Sequence, residues 1–220
     1  MEGPKIYGYI YGFPITQTLV NMWIIFAIVF VLCYVLTKNM EKIPRKTQVI
    51  AEVMIDSMDN LVGQTMGKDK MGFAPYMLAL IMFLAVANTS GLYGLRSPTA
   101  DLNVTVGLAL MTFFMTQGFG LKSKGIGGYL KSFLQPMPFL LPINIIGELA
   151  NPVSLSFRLF GNMLGGLIIM SLLYSGLAGL IYLPLVIPIP FHFYFDIFAG
   201  LLQSFIFVML SMVFVSMAMD

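Results

Sequence analysis

Five stretches of the chain are apolar for longer than a strand requires: Thr16 to Thr37, 73–93, 102–121, 140–175 and 184–218. A helix needs about 20 apolar residues to cross a hydrocarbon core, so each stretch predicts a membrane helix. The last two are longer than a perpendicular span needs. At about 1.5 Å per residue the excess predicts steep tilt or kinks, with Pro152, Pro184, Pro188 and Pro190 placed to kink them. The stretch 44–66 has a different pattern. Val49, Val53, Met54, Met58, Leu61 and Val62 alternate with Glu52, Asp56 and Asp59, which predicts an amphipathic helix lying at the membrane surface. Gly94, Ser97 and Pro98 mark a turn that makes a hairpin of 73–93 and 102–121, while Gly125 to Pro138, with Gly127, Gly128 and Pro136, reads as a break. No internal repeat or soluble segment interrupts the pattern. The expectation is an all-α membrane protein forming one polytopic domain over residues 1–220: one N-terminal span, an interfacial helix, a transmembrane hairpin and two long tilted helices.

Composition strengthens this reading. Hydrophobic residues make up 58% of the 220 and charged residues only 10%, and the mean hydropathy is +0.88. A soluble domain carries about 25% charged residues. The net charge of +2 gives no ground for nucleic-acid binding. Lys38, Lys42, Arg45, Lys46, Lys68, Lys70, Lys122, Lys124 and Lys131 fit one side of the membrane, and Lys5 and Arg96 the other. Because cytoplasmic loops collect Lys and Arg, the N-terminus is expected outside and the C-terminus in the cytoplasm. The opening MEGPKIYGYIYG lacks the basic cluster of a signal peptide, so the first run reads as a retained helix. Cys33 is the only cysteine, which excludes an intrachain disulfide and a thiolate metal site.

Candidate chemistry is confined to the last two helices. Asn144, Glu148, Asn151, Ser154, Arg158 and Asn162 recur at spacings of three and four, so one helical face carries them all. His192, Asp196, Gly200 and Gln203 repeat the arrangement on the final helix. An arginine near the bilayer centre costs at least ~2.5–3.5 kcal/mol on insertion scales, so it normally faces a partner or a water-filled cavity. Arg158 stays charged and acts as a fixed cation, unable to relay protons. Its alternative is a packing salt bridge with Glu148 or Asp196. For Asp196 the alternatives are an ion relay and a neutral acid hydrogen-bonded inside the bundle. Glu148 divides between channel lining and the headgroup interface. His192 fits the outer interface, and Asn162 and Gln203 serve equally as interhelical hydrogen-bonding residues. Gly161, Gly165 and Gly166 form a smooth strip suited to close helix packing.

The run NPVSLSFRLFGNMLGG, Asn151 to Gly166, closely resembles the arginine-bearing helix of the a subunits of rotary F-type ATP synthases, and LLQSFIFVMLSMVFVSMAMD from Leu201 resembles that family's last helix, with its glutamine at Gln203. The dense match covers the final third of the chain; the earlier part agrees in topology. The resemblance implies a stator subunit whose two long helices pack against a rotor ring of c subunits, alongside peripheral-stalk b subunits, membrane lipid and, indirectly, the soluble ATPase sector. It implies location in a bacterial plasma membrane, with H⁺ or Na⁺ translocated and no tightly bound cofactor or metal. Arg158 takes the place of the family's essential arginine, facing ring carboxylates between two offset half-channels. Asp196, Gln203, Asn162, Glu148, Asn151, Ser154, Asn144 and His192 would line the ion pathway. Two positions depart from proton-carrying members: Leu167 stands where a carboxylate is usual, and Asp196 where a histidine or an acid is frequent. They tilt the expectation towards Na⁺. No GxxxxGK[ST] loop is present, so the subunit is not expected to be catalytic alone. A self-contained secondary transporter and a structural scaffold are the rival readings.

Overall fold

The computed structural model describes residues 5–10, 12–38, 41, 47–134, 137–177, 179 and 186–220. Among these, five helices are long and apolar enough to cross a membrane, so the chain is an all-α membrane protein. Helix α1 (Gln17–Thr37) starts where Thr16 accepts a capping hydrogen bond from the Leu19 amide. Only Thr18, Asn21 and Ile25 of α1 are buried; Phe26, Phe30, Val31 and Tyr34 face outward, as befits a helix solvated by lipid. Its first turns are tethered by Thr18 donating to Asp101 at 2.8 Å and Asn21 donating to the Arg96 carbonyl at 2.8 Å.

Helix α2 (Thr47–Thr65) buries Ala51, Met58 and Val62, while Asp56 is exposed together with Val49, Ile50 and Val53. Residues 44–46, the expected start of this element, lie outside the described residues. A 3₁₀ turn leads into α3 (Ala74–Thr89), with Pro75 in the first turn, where its missing N–H costs nothing. Helix α4 (Leu102–Phe133), α5 (Leu141–Leu177) and the continuous rod α6 (Pro188–Met219) follow. Helices α3 and α4 both pack on α6, and α4 also packs on α5. Met77, Leu84, Leu155, Leu159, Phe207 and Met212 form the centre of the core.

Between α3 or α4 and the last two helices, buried hydroxyls and amides replace apolar bulk. Asn88 donates to Ser204 at 2.9 Å, and Thr105 meets Ser156 at 3.2 Å and Thr112 meets Ser211 at 3.1 Å. Small polar side chains let membrane helices approach closely while satisfying one another.

Three features differ from the sequence expectation. Ile6–Ile10 (β1) and Phe13–Thr16 (β2) pair as an antiparallel hairpin ahead of α1; their Ile- and Tyr-rich residues suit strands, but the pattern is too short to stand out beside the apolar run that follows. Helix α4 continues beyond residue 121 to Phe133, interrupted within the expected break at Gly125, which has φ 69 and ψ 166. Glycine alone takes that conformation without strain. Residues 135 and 136 of that break lie outside the described residues. In α6 the segment Phe193–Ala199 is π-helical around Asp196, between α-helical Pro188–His192 and Gly200–Met219. Residues 184 and 185 of the expected helix lie outside the described residues. Pro152 lies within a continuous α5.

Candidate functional site

The polar residues of α5 sort into three levels. At the middle level Ser154 and Arg158 are exposed on an outward face shared with Val153 and Phe157. Arg158 lies near the middle of α5, and among the described residues it has no ion pair or hydrogen bond. The packing salt bridge with Glu148 or Asp196 is therefore absent. Helix α5 has 37 residues, about 55 Å of helix against a hydrocarbon core of about 30 Å, and Arg158 has about 17 residues of apolar helix on either side of it. A guanidinium there, on an apolar face, requires an anion, and none of the described residues supplies one.

One turn later Asn162 donates to Gln203 Oε1 at 2.6 Å, joining α5 to α6. Gln203 is 1% exposed, and among the described residues its Nε2 has no partner. Beyond this bridge, towards the end of the bundle that carries Arg96, a cavity of about 350 Å³ opens between α3, α5 and α6. Asn162, Leu167, Arg96, Gln17, His192 and Asp196 are among its lining residues. Asp196 Oδ2 is hydrogen-bonded to His192 Nδ1 at 2.5 Å, and the other ring nitrogen of His192 meets the Tyr174 hydroxyl at 3.0 Å. The π-helical turn sets this geometry, because widening the helix at 193–199 turns Asp196 towards α3. In the 3₁₀ turn just after α3, Gly91 leaves room for it: a Cβ at that position would lie 2.8 Å from Asp196 Oδ1.

At the opposite, lysine-bearing end, a second cavity of about 610 Å³ lies between α4, α5 and the last turns of α6. Glu148, Asn151, Asn144, Thr116, Tyr129 and Lys124 line it. Glu148 accepts from Gln117 Nε2 at 3.1 Å, and Asn144 donates to the Phe133 carbonyl at 2.8 Å. Glu148 thus faces a cavity inside the bundle. Arg158 stands between the two cavities along α5, seven residues after Asn151 and four before Asn162.

All nine residues singled out in the sequence fall on this system. Glu148, Asn151 and Asn144 share one cavity; Asn162, His192 and Asp196 share the other; Gln203 bridges to Asn162; Ser154 and Arg158 occupy the open face. The sequence reading missed Tyr174, Gln117, Tyr129 and Gly91. Gln117 lies on a helix without a polar stripe and Tyr129 beyond the turn at Gly125, Gly91 lies in a 3₁₀ turn, and Tyr174 stands about three turns past the last stripe residue of α5, so periodicity carries no signal for them. Among the described residues no three His, Cys, Asp or Glu side chains converge as metal ligands.

Residues 19–216 match the family described as ATP synthase A chain. The chain is 35% identical to "ATP synthase subunit a, sodium ion specific" of Propionigenium modestum, over 98% of this chain and 84% of that protein. It is 33% identical to ATP synthase subunit a of Moorella thermoacetica, over 92% and 90% of the two chains. With ATP synthase subunit a 2 of a Bradyrhizobium species the identity is 37%, over 93% and 89%. The family match decides against a self-contained transporter or a passive scaffold. The chain belongs to the ATP synthase A chain family and is an ion-translocating stator subunit in the membrane sector of an F-type ATP synthase.

Proposed function

We propose that Arg158 is the fixed cation that faces the carboxylates of a rotating c-subunit ring, with the two cavities serving as offset half-channels on either side of it. The observation that carries this reading is a guanidinium without a partner among the described residues, on an apolar face near the middle of α5, between two polar cavities lined from opposite ends of the bundle. A ring carboxylate passing Arg158 is held ionised by the positive charge and gives up its bound cation. The same charge opposes direct passage of a cation from one cavity to the other, so ions cross only by riding the ring. Each charge moved down the membrane potential supplies about 2.3 kcal/mol per 100 mV, and a leak would dissipate it.

The lysine-bearing end is assigned to the cytoplasm and the Arg96 end to the outside of a bacterial plasma membrane, following the distribution of basic residues. Asp196, His192 and Asn162 then line the outer half-channel, and Glu148, Asn151 and Asn144 the inner one. Helix α5 fits the membrane by lying steeply tilted along the ring, and the lipid-facing side of α1 leaves room for peripheral-stalk b subunits. The transported ion is Na⁺ in this reading. Leu167, where proton-carrying relatives place a carboxylate, lines the outer cavity with an apolar side chain, which leaves a hydrated path in place of a continuous proton-exchanging chain. The similarity to a relative named as sodium ion specific supports the same choice.

The test is ATP-driven ²²Na⁺ uptake by proteoliposomes holding the whole complex. Uptake stimulated by a protonophore establishes Na⁺ as the primary ion, since collapsing the potential removes only the opposing charge. Uptake abolished by the protonophore shows that protons are pumped and that Na⁺ follows secondarily. The complex is expected to copurify with a ring-forming proteolipid.

A further inference from the structure

The inner cavity contains a hydrogen-bond chain that crosses from α4 to α5. The Tyr129 hydroxyl donates to Gln117 Oε1, and Gln117 Nε2 donates to Glu148 Oε2 at 3.1 Å. An ionised carboxylate can only accept, so the Gln117 amide must turn its NH₂ towards Glu148; its oxygen then faces Tyr129, which must donate. Each member thereby fixes the orientation of the next. Tyr129 reaches Gln117 because the chain turns at Gly125, at φ 69, and its ring then packs over Gly120, where a Cβ would lie 2.9 Å from Tyr129 Cε2. The ring also meets Phe133 edge-on, with centroids 5.2 Å apart. Asn144, Asn151 and Thr116 bring further oxygen atoms to the same cavity. Lys124 lines it as well, but among the described residues it makes no ion pair with Glu148.

We infer that Gln117 and Tyr129 are positioning residues that hold the Glu148 carboxylate open to the inner cavity, making it the point at which cations entering from the lysine-bearing end are gathered before they reach the ring. One carboxylate oxygen is engaged by Gln117 and the other is left for the cation, with neighbouring amide and hydroxyl oxygens to replace part of its hydration shell. Without Tyr129 the Gln117 amide oxygen loses its donor and the side chain its anchor, so the hydrogen bond that seats Glu148 is held less firmly. This inference rests on the half-channel reading above.

The test separates the two directions of transport in the intact reconstituted complex. ATP-driven uptake loads ions through the inner cavity; ATP synthesis driven by an imposed Na⁺ gradient loads them from the other side. Tyr129→Phe and Gln117→Met are expected to raise the half-saturating Na⁺ concentration for ATP-driven ²²Na⁺ uptake by about three- to tenfold, the size of one net hydrogen bond, with maximal rate little changed. The half-saturating Na⁺ concentration for synthesis should stay at its wild-type value. Adding Gln117→Met to Glu148→Gln should produce no further increase. Where protons are the ion, the half-saturating proton concentration is read with a pH-sensitive dye in the same preparation. Unchanged half-saturation in both single variants, or equal changes in both directions, overturns the inference. An Arg158→Ala complex that still pumps would overturn the half-channel reading itself, and is scored separately.

Discussion

The two cavities hold their carboxylates by different means. Asp196 is fixed mainly within its own helix, by His192 one turn away and by the widened π turn that begins just after that histidine, with Gly91, in the 3₁₀ turn that follows α3, only leaving space. Glu148 is held across helices, by Gln117 of α4, whose orientation depends on Tyr129 beyond a kink. A carboxylate held by its own helix moves with that helix and is sensitive to crowding from its neighbour. One held from a second helix is sensitive to single hydrogen bonds. The outer site should therefore fail sterically and the inner site by loss of affinity.

The largest effect is expected from Gly91→Val. Its Cβ would lie within 3.0 Å of three Asp196 carboxyl atoms, so the side chain must leave its seat, and the initial rate of ATP-driven ion uptake should fall at least about tenfold, since displacement by even 1 Å can cost about 10²-fold. Assembly, followed by native gel, should be intact; a wild-type rate would show that Asp196 does not need that seat. Tyr174→Phe removes one hydrogen bond to His192 and should slow transport about three- to tenfold, the range of one net hydrogen bond, in both directions. Confinement of that loss to the ATP-driven direction would erase the contrast with the inner cavity.

Outside both cavities the effects are smaller. Thr112→Val removes the partner of Ser211, whose hydroxyl still donates to the Phe207 carbonyl at 2.8 Å, so the cost should be no more than about 1 kcal/mol, read as a small drop in the thermal midpoint with transport unchanged. The smallest effect concerns Asp220. Its hydrogen bond with Lys70 holds the carboxyl below its ordinary value of 3.8. A lowered carboxylate value means the pair's contribution is fully present above the unfolded value and is lost as pH falls through the folded one. Asp220→Asn should therefore differ slightly from wild type at neutral pH, at low salt, and the difference should vanish in strong acid. A difference that grows on acidification would reverse the sign of this account.

How far the sequence could be read follows from where each signal resides. Long apolar runs and a three-and-four spacing of polar residues are local properties of one helix, and they located the five spans, Arg158 and its neighbours. Gly125 was legible as a break, but one positive-φ residue is enough to turn a helix and then let it resume, so the helical stretch up to Phe133 was not. The π turn at Phe193–Ala199 has no composition of its own; it adds one residue to a turn and re-aims Asp196 without altering hydropathy. Gln117 and Tyr129 are single polar residues whose meaning comes from the helix opposite, and pairing between helices is not written in the periodicity of either. The β1–β2 hairpin is short, and its apolar and aromatic residues merge into the run that begins α1.

The central claim is that Arg158 is an unpaired, fixed cation that couples ion passage to the ring. Its most direct test is ATP-driven ion uptake by the reconstituted complex carrying Arg158→Ala, beside wild type and with assembly confirmed. The account predicts robust uptake by wild type and none by the variant; uptake by the variant at the wild-type rate would contradict it.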